Sequence, residues 1–472
     1  MCEARRGATQ STRFKYISSR SVFHSVRGPL LVELRARKGE YVEQKRFDLE
    51  RVSRRVAELE KEYGVSFDPS SPAPSEDLAK PVFEAGFTLA VETGLYVVDE
   101  SRVARFTEEE VREALRNAPR ELRVGRGKDE RVLRARGPGD RVFVFGGLAG
   151  TPVPLEFFEA SAASYAAVPR VDALDHGSIQ AVAGEAVRGY APSEALAGIE
   201  EAEGVRRALR AVGRPGMHVL GAESSVSSVG SLSALSLGLL GEGDAQLLPV
   251  LNELKTDYGQ LTKAYVGLAR GLIGAALVDP VVGGYARGPA GSAIVSVAET
   301  LLALVAYEAG YFLVHPVHIL RKATSTLECM WVESVVGLAN RYMGLPVVAD
   351  IWPANGGGTR EYLYEAAANT FVAVASGLNV LGPVPANGTQ PNGGGFESWF
   401  VASLADLVAE KKVSVGAAWS AALELYEKYA DKLSSPNPGK PFWELYDLKS
   451  LKPSAEWEKT VWEVLREVAE LA

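Results

Sequence analysis

The chain has 472 residues, 47% apolar and 23% charged, the balance of a globular protein with a large buried core and not of a disordered or fibrous one. Its 51 Lys and Arg against 59 Asp and Glu give a net charge of -8, the wrong sign for a surface that attracts nucleic-acid backbones. Two cysteines, Cys2 and Cys329, are too few for a disulfide framework and fit a reducing, cytoplasmic setting, and the most apolar stretch noted, Leu272 to Val282, is broken by Asp279 and Pro280, so no membrane span is expected.

In chain order, residues 1–35 are basic. Arg5, Arg6, Arg13, Lys15, Arg20 and Arg27 face the single acid Glu3 over the opening turns, with no apolar run behind them as a secretory signal requires, so a flexible tail is expected. Residues 36–135 read as a mostly helical extension. Phe47, Leu49, Val52, Val56 and Leu59 recur at helical spacing up to Gly64, a C-terminal stop, and Thr107-Glu-Glu-Glu110 before Val111 has the form of a capping box. Gly125-Arg-Gly127 lacks the third glycine of a dinucleotide fingerprint and reads as a loop.

From residue 136 to 472, short apolar β-rich runs alternate with longer Ala- and Leu-rich segments. The strand candidates are Val142–Phe145, Val171–Leu174, Met217–Leu220, Gln246–Val250, Ala275–Val278, Phe312–Val314, Val347–Ile351 and Leu378–Leu381. Eight such units predict an α/β fold, a (β/α)8 TIM barrel with an N-terminal helical extension, with a doubly wound open sheet as the alternative.

A barrel keeps its chemistry at the carboxyl ends of the strands, so the residues after each run carry the candidates. They include Gly146-Gly147, Asp175-His176-Gly177, Glu223, Asn252-Glu253, Asp279, His315 with His318, Asp350 with Trp352, and Gly382-Pro383. No Walker loop, His-Glu-x-x-His or Gly-x-Ser-x-Gly elbow is present, and no metal site is assigned. Gly356, Gly357, Gly358 and Thr359 run from a strand into a helix and form a candidate anion-binding loop, while Asn387 to Phe396 is a candidate lid.

Several segments together resemble the monomethylamine:corrinoid methyltransferases of methanogenic archaea, collinearly from about residue 40 to the end. They are Phe83-Glu-Ala-Gly-Phe87, Thr93-Gly-Leu-Tyr96, Phe106-Thr-Glu-Glu109, Gly213-Arg-Pro-Gly-Met217, Leu251-Asn-Glu-Leu-Lys255, Gly283-Gly-Tyr285, Pro316-Val-His318, Gly439-Lys440 and Tyr446-Asp447. The resemblance implies a barrel that moves a methyl group from a methylated amine to the cobalt of a corrinoid held by a partner protein, with no cofactor bound tightly by this chain and with self-association into an oligomer. The family uses pyrrolysine as the electrophile that captures the amine. Matched on Met217-His-Val-Leu-Gly-Ala-Glu223, its place is taken here by Leu220, and by the same matching polar neighbours fall on Leu247, Leu277 and Asp350. A donor that needs no capture, a quaternary ammonium or other onium compound, is therefore expected. Glu223, Asp350 and His318 are the candidate catalytic residues, and Leu220, His176, Asn252, Glu253, Asp279, Tyr285 and Trp352 the candidate substrate contacts, with Tyr311 a further ring near the rim. A non-catalytic amine-binding partner of a corrinoid protein, or a rim lyase or hydrolase using His176, Asp279 or His318, is the competing reading.

Overall fold

The computed structural model describes residues 28–472 apart from positions 138, 222 and 226. Most of the expected basic tail lies outside the described residues, but its end does not: Gly28–Ala36 is a helix with Val32 and Ala36 fully buried, so these residues belong to the folded part.

Eight parallel strands close a barrel in sequential order: β1 (Val144–Gly147), β2 (Ala173–Asp175), β3 (His218–Gly221), β4 (Ala245–Val250), β5 (Ile273–Val278), β6 (Tyr311–Val314), β7 (Val347–Asp350) and β8 (Asn379–Leu381), which pairs back onto β1. All eight predicted runs are strands, each displaced by no more than two residues. Their uniform apolarity follows from burial on both faces, against outer helices on one side and the barrel lumen on the other.

A helix follows each strand: α1 (Leu155–Ala166), α2 (Pro192–Ala211), α3 (Val229–Ser236), α4 (Tyr258–Ala269), α5 (Pro289–Tyr307), α6 (Leu327–Met343), α7 (Arg360–Ala375) and α8 (Gly395–Glu410). Their N-termini start at the rim, where Asp257, Thr326 and Thr359 cap α4, α6 and α7 through the amides of Gln260, Cys329 and Tyr362. Helix α5, with mean hydropathy 1.7 and 94% of its window buried, is long and apolar enough to cross a membrane; here it is a core helix packed on Ala79–Thr93. Ser292, Ser296, Glu299 and Thr300 interrupt its apolar pattern.

The N-terminal extension is less purely helical than predicted. The helix read over 47–63 begins at Gln44, passes through a π-helical stretch at Phe47–Ser53 and ends at Glu62, and the Thr107–Glu110 capping box is formed. Two strand features were not read from the sequence. Leu95–Val97 pairs in parallel with Lys255–Thr256, which joins the extension to the rim, and a hairpin of Glu121–Val124 with Arg131–Arg134 inserts Leu122, Val124 and Leu133 into the lumen cluster. The hairpin packs into the barrel floor, on the side away from the carboxyl ends of the strands.

Candidate functional site

The lumen is filled from below. Phe143, Phe145, Ala173, Leu220, Ala245, Ala275, Tyr311, Leu313, Val348 and Leu381 form one buried cluster, with Leu247, Leu277 and Trp352 half-buried above it. Because strand side chains alternate, the residue two places beyond an inward one also faces inward. Ala173, Leu277, Leu313 and Val348 therefore bring Asp175, Asp279, His315 and Asp350 to the mouth. Leu220 is in register with Asp175, which sets the leucine beside that carboxyl group. Gly147 makes room for it: its φ of 145° is open to glycine, and a Cβ there would run into the Asp175 backbone.

Three carboxyl groups act on one another here. Asp175 and Glu223 act on each other as one titrating pair, and both are pushed well up from the usual carboxylate range, first by burial and then by neighbouring negative charge that includes Asp350. Asp350 is pushed up to about 8 by burial, partly offset by the Trp352 Nε1–H that donates to its Oδ1 at 2.7 Å. Next to them Asp279 is also raised to about 8 by burial, although Asn252 Nδ2 donates to its carboxylate at 3.1 Å. The cation that acts on Glu223 is Lys263, buried on α4 and itself lowered to about 8 by desolvation. Among the described residues Asp175 Oδ1, Glu223 Oε1 and His315 Nε2 are buried without a hydrogen-bond partner. The His315 ring is neutral, its pKa lowered to about 3 by burial, and lies 4.5 Å from the Trp352 ring, whose other side packs on Gly388. Gly388 (φ 65°) cannot carry a side chain against that indole, so the Ala386–Gly388 turn of the expected lid forms part of the wall.

The mouth thus gathers Leu220, Glu223, Asp279, Asn252, Asp350 and Trp352 from the candidate residues. The others are corrected. His176 follows inward-facing Asp175 and so points outward, where it packs on Phe158 of the helix layer with Nδ1 on the Gly177 carbonyl oxygen at 2.7 Å, its pKa lowered to about 4 by burial. His318 lies on a two-residue strand, Val317–His318, outside the barrel, and its Nδ1 accepts the Leu320 and Arg321 amides at 3.2 and 3.3 Å, which makes it the cap of a turn. Tyr285 is 41% exposed and lies over the ammonium of Lys255, which is ion-paired with Asp48 at 2.6 Å. Tyr311 starts β6 deep in the lumen, its hydroxyl 3.2 Å from His218 Nε2. Glu253 is buried with Oε1 accepting the Val281 amide at 3.2 Å, and it reaches the mouth only through its charge on Asp279. In the glycine loop the Gly356 amide donates to the Asn437 carbonyl, Gly357 accepts from the Lys440 amide and Thr359 caps α7, so these groups clasp residues 437–440 and do not form an anion cradle.

Asp175 stood among the rim residues without an assigned role, and Lys263 of α4 and Glu201 of α2, whose charges act on Glu223, were absent from the candidate set. Strand parity carries the signal for Asp175: two residues after lumen-facing Ala173, it and not His176 had to face inward. Nothing local in the sequence marks Lys263 or Glu201, which act from helices.

The sequence model of the family described as monomethylamine methyltransferase MtmB matches residues 32–472. Monomethylamine methyltransferase MtmB2 of Methanosarcina acetivorans is 31% identical over 429 residues, 90% of this chain and 93% of the relative. MtmB of Methanosarcina mazei is 31% identical over 431 residues, with the same coverage. The crystal structure of the Methanosarcina barkeri monomethylamine methyltransferase superposes with a TM-score of 0.89 at 29% identity, over 93% of this chain and 97% of that one, and a hydroxylamine complex of MtmB matches equally well. A closed eight-stranded barrel, a polar mouth at its carboxyl end and similarity along nearly the whole chain agree: the chain belongs to the monomethylamine methyltransferase MtmB family and is a methyltransferase.

Proposed function

We propose that the chain takes a methyl group from a small onium donor, a quaternary ammonium or related cation, and passes it to the cobalt of a corrinoid carried by a separate protein. The observation that supports this most is the union of a leucine floor at Leu220, Leu247 and Leu277 with the carboxyl groups of Asp175, Glu223 and Asp350 at the mouth above it. Of the groups that a lyase or hydrolase reading would use, Asp279 is at the mouth, while His176 packs on Phe158 and His318 caps a turn, which favours the methyl-transfer reading.

Leu220 stands where the resemblance places pyrrolysine, and a hydrocarbon side chain has no group that forms an adduct with an amine. A neutral methylamine then lacks activation, because it would have to depart as an amide anion, which is far too basic. An onium donor avoids the problem: the carbon–nitrogen bond breaks with its electron pair going to nitrogen, and the amine departs neutral. The reduced corrinoid is the methyl acceptor and supplies the nucleophile; it enters as a substrate on its own protein.

The chain's residues prepare the donor. The leucines exclude water and fit methyl groups, so the cation loses hydration that the carboxylates replace. A cation in the mouth shifts Asp350 and the Asp175–Glu223 pair toward their charged forms, which turns a set of protonated acids into a counter-charge. Trp352 presents a ring face, worth roughly 0.5–2 kcal/mol toward a desolvated cation, and its Nε1–H keeps Asp350 oriented.

The test is incubation of the purified protein with a reduced corrinoid protein and a panel of methylamines, betaines and sulfonium compounds, followed by the cobalt absorption spectrum. Demethylation of an onium donor, with monomethylamine silent, is the expected result. Reaction with monomethylamine alone overturns the proposal.

A further inference from the structure

Helix α2 turns two glutamates seven residues apart, Glu194 and Glu201, inward and buries both. Burying a carboxylate is strongly unfavourable unless its oxygens are hydrogen-bonded, so a buried glutamate on an outer helix needs a structural partner. Glu201 has partners from two places in the barrel. Its Oε1 accepts the Ile179 amide at 2.7 Å, and Oε1 and Oε2 both accept the Ser224 amide at 3.1 Å. Ile179 lies on the segment leaving β2, four residues after Asp175, and Ser224 follows Glu223 directly on the segment leaving β3. Glu194 continues the clasp one step out, accepting the Tyr190 amide at 2.6 Å and the Ser227 amide at 2.8 Å.

We infer that Glu201 is a positioning residue of the mouth: by bridging the amides of Ile179 and Ser224 it ties the exits of β2 and β3 together, so that the Asp175 and Glu223 carboxyl groups stay within hydrogen-bond reach of each other. The inference rests on the proposed function for what that pair receives, but the clasp itself is a property of the free protein. The charged groups that face Glu223 are Asp175 from β2, Asp350 from β7, Lys263 from α4 and Glu201 from α2. After burial, the charge of Glu201 is the strongest influence holding Glu223 in its protonated form, so losing that charge lowers the pH at which Glu223 titrates, whereas losing the contact with Asp175, which acts in the opposite direction, raises it.

The experiment is carboxyl ¹³C NMR of glutamate-labelled full chain across a pH series, with the Glu223 resonance assigned through Glu223→Gln. In the wild type Glu223 titrates above the ordinary glutamate range. Glu201→Gln is expected to move that titration down by about one pH unit or more. Glu397→Gln removes a comparable buried anchor, the acceptor for the Gly394 amide at 3.0 Å and Trp457 Nε1 at 2.7 Å, and is expected to leave Glu223 where it is. Should Glu201→Gln melt early, Glu201→Asp, which keeps the charge but is too short to reach both amides, is expected to loosen the contact with Asp175, which lowers the Glu223 titration, and so to move Glu223 the opposite way, upward. An unmoved Glu223 in the Glu201 variants, or an equal shift in Glu397→Gln, overturns the inference. Calorimetry with tetramethylammonium adds a second readout, in which Glu201→Gln binds about tenfold more weakly than the wild type, as is common when an outer partner of a binding group is removed. If the wild type itself does not bind tetramethylammonium, the onium reading falls and the clasp is decided by the carboxyl titration.

Discussion

Asp350→Asn isolates the cost of the acidic mouth. Asp350 is 3% exposed and titrates at about 8, against roughly 3.9 for an unfolded aspartate. Because the folded state holds the proton more tightly, it binds more protons than the unfolded chain between about pH 4 and pH 8, so stability falls as pH rises through that window and levels off above it. At about 1.36 kcal/mol per pH unit, the penalty carried by this one group grows by roughly 3–4 kcal/mol between pH 5 and pH 8. Asparagine is nearly isosteric, keeps an oxygen for the Trp352 Nε1–H and has no charge to desolvate. For a chain of 472 residues an unfolding entropy of roughly 2 cal/mol/K per residue converts each kcal/mol to about 1 °C. The variant should therefore melt about 3–4 °C higher relative to wild type at pH 8 than it does at pH 5. Differential scanning calorimetry at the two pH values reads this directly. An offset that is the same at both would mean that Asp350 is not held protonated by burial, and the account of the mouth as a store of protons would be wrong.

The same groups make cation binding pH-dependent. A cation favours the carboxylate forms of Asp350 and Asp279, both near 8 in the free protein, so tetramethylammonium should bind more tightly as pH rises from 6 to 8 and should expel protons; calorimetric heats that vary with the ionisation enthalpy of the buffer measure this, and pH-independent binding counts against it. Trp352→Leu should weaken that binding by about 2- to 30-fold, the equivalent of roughly 0.5–2 kcal/mol, and should move the pH midpoint upward because the Nε1–H that lowers the Asp350 pKa is lost. His318→Ala should leave methyl transfer within about twofold of wild type, since the imidazole caps a turn outside the barrel; a loss of turnover with unchanged donor binding would return it to the reaction.

Periodicity was enough to locate the barrel because burial on two faces leaves a strand no polar position to hide in: runs such as Phe312–Val314 and Val347–Ile351 are legible without their neighbours. The N-terminal extension was harder to read. The 121–134 hairpin carries Glu121, Arg123, Arg131 and Arg134 around the apolar Leu122, Val124 and Leu133, and its inward face is defined only by the barrel floor into which it packs. Leu95–Val97 is a strand in a local pairing with Arg102–Ala104, but its place at the rim comes from its parallel pairing with Lys255–Thr256, far away in the chain. Tertiary partners of this kind leave no local period.

The site divides along the same line. Glu223, Asp279, Asp350, Trp352 and Leu220 follow from their place just beyond or at the end of a strand, whereas His176 and His318 were attractive for their chemistry and are excluded by direction, one by strand parity and the other by the turn it caps. Imidazoles that titrate near neutrality draw the eye in a sequence, yet His176 and His315 are both driven far below neutrality by burial. The groups brought toward the neutral range are the carboxyls of Asp350 and Asp279, raised by burial, and the Lys263 ammonium, lowered by desolvation. The coupling of floor and rim is the physical content of the site. A polar residue at 220, 247 or 277 would hydrate the mouth and let the acids ionise unaided, while the hydrocarbon that is there would, on the proposed function, leave an arriving onium cation as the means by which they do so.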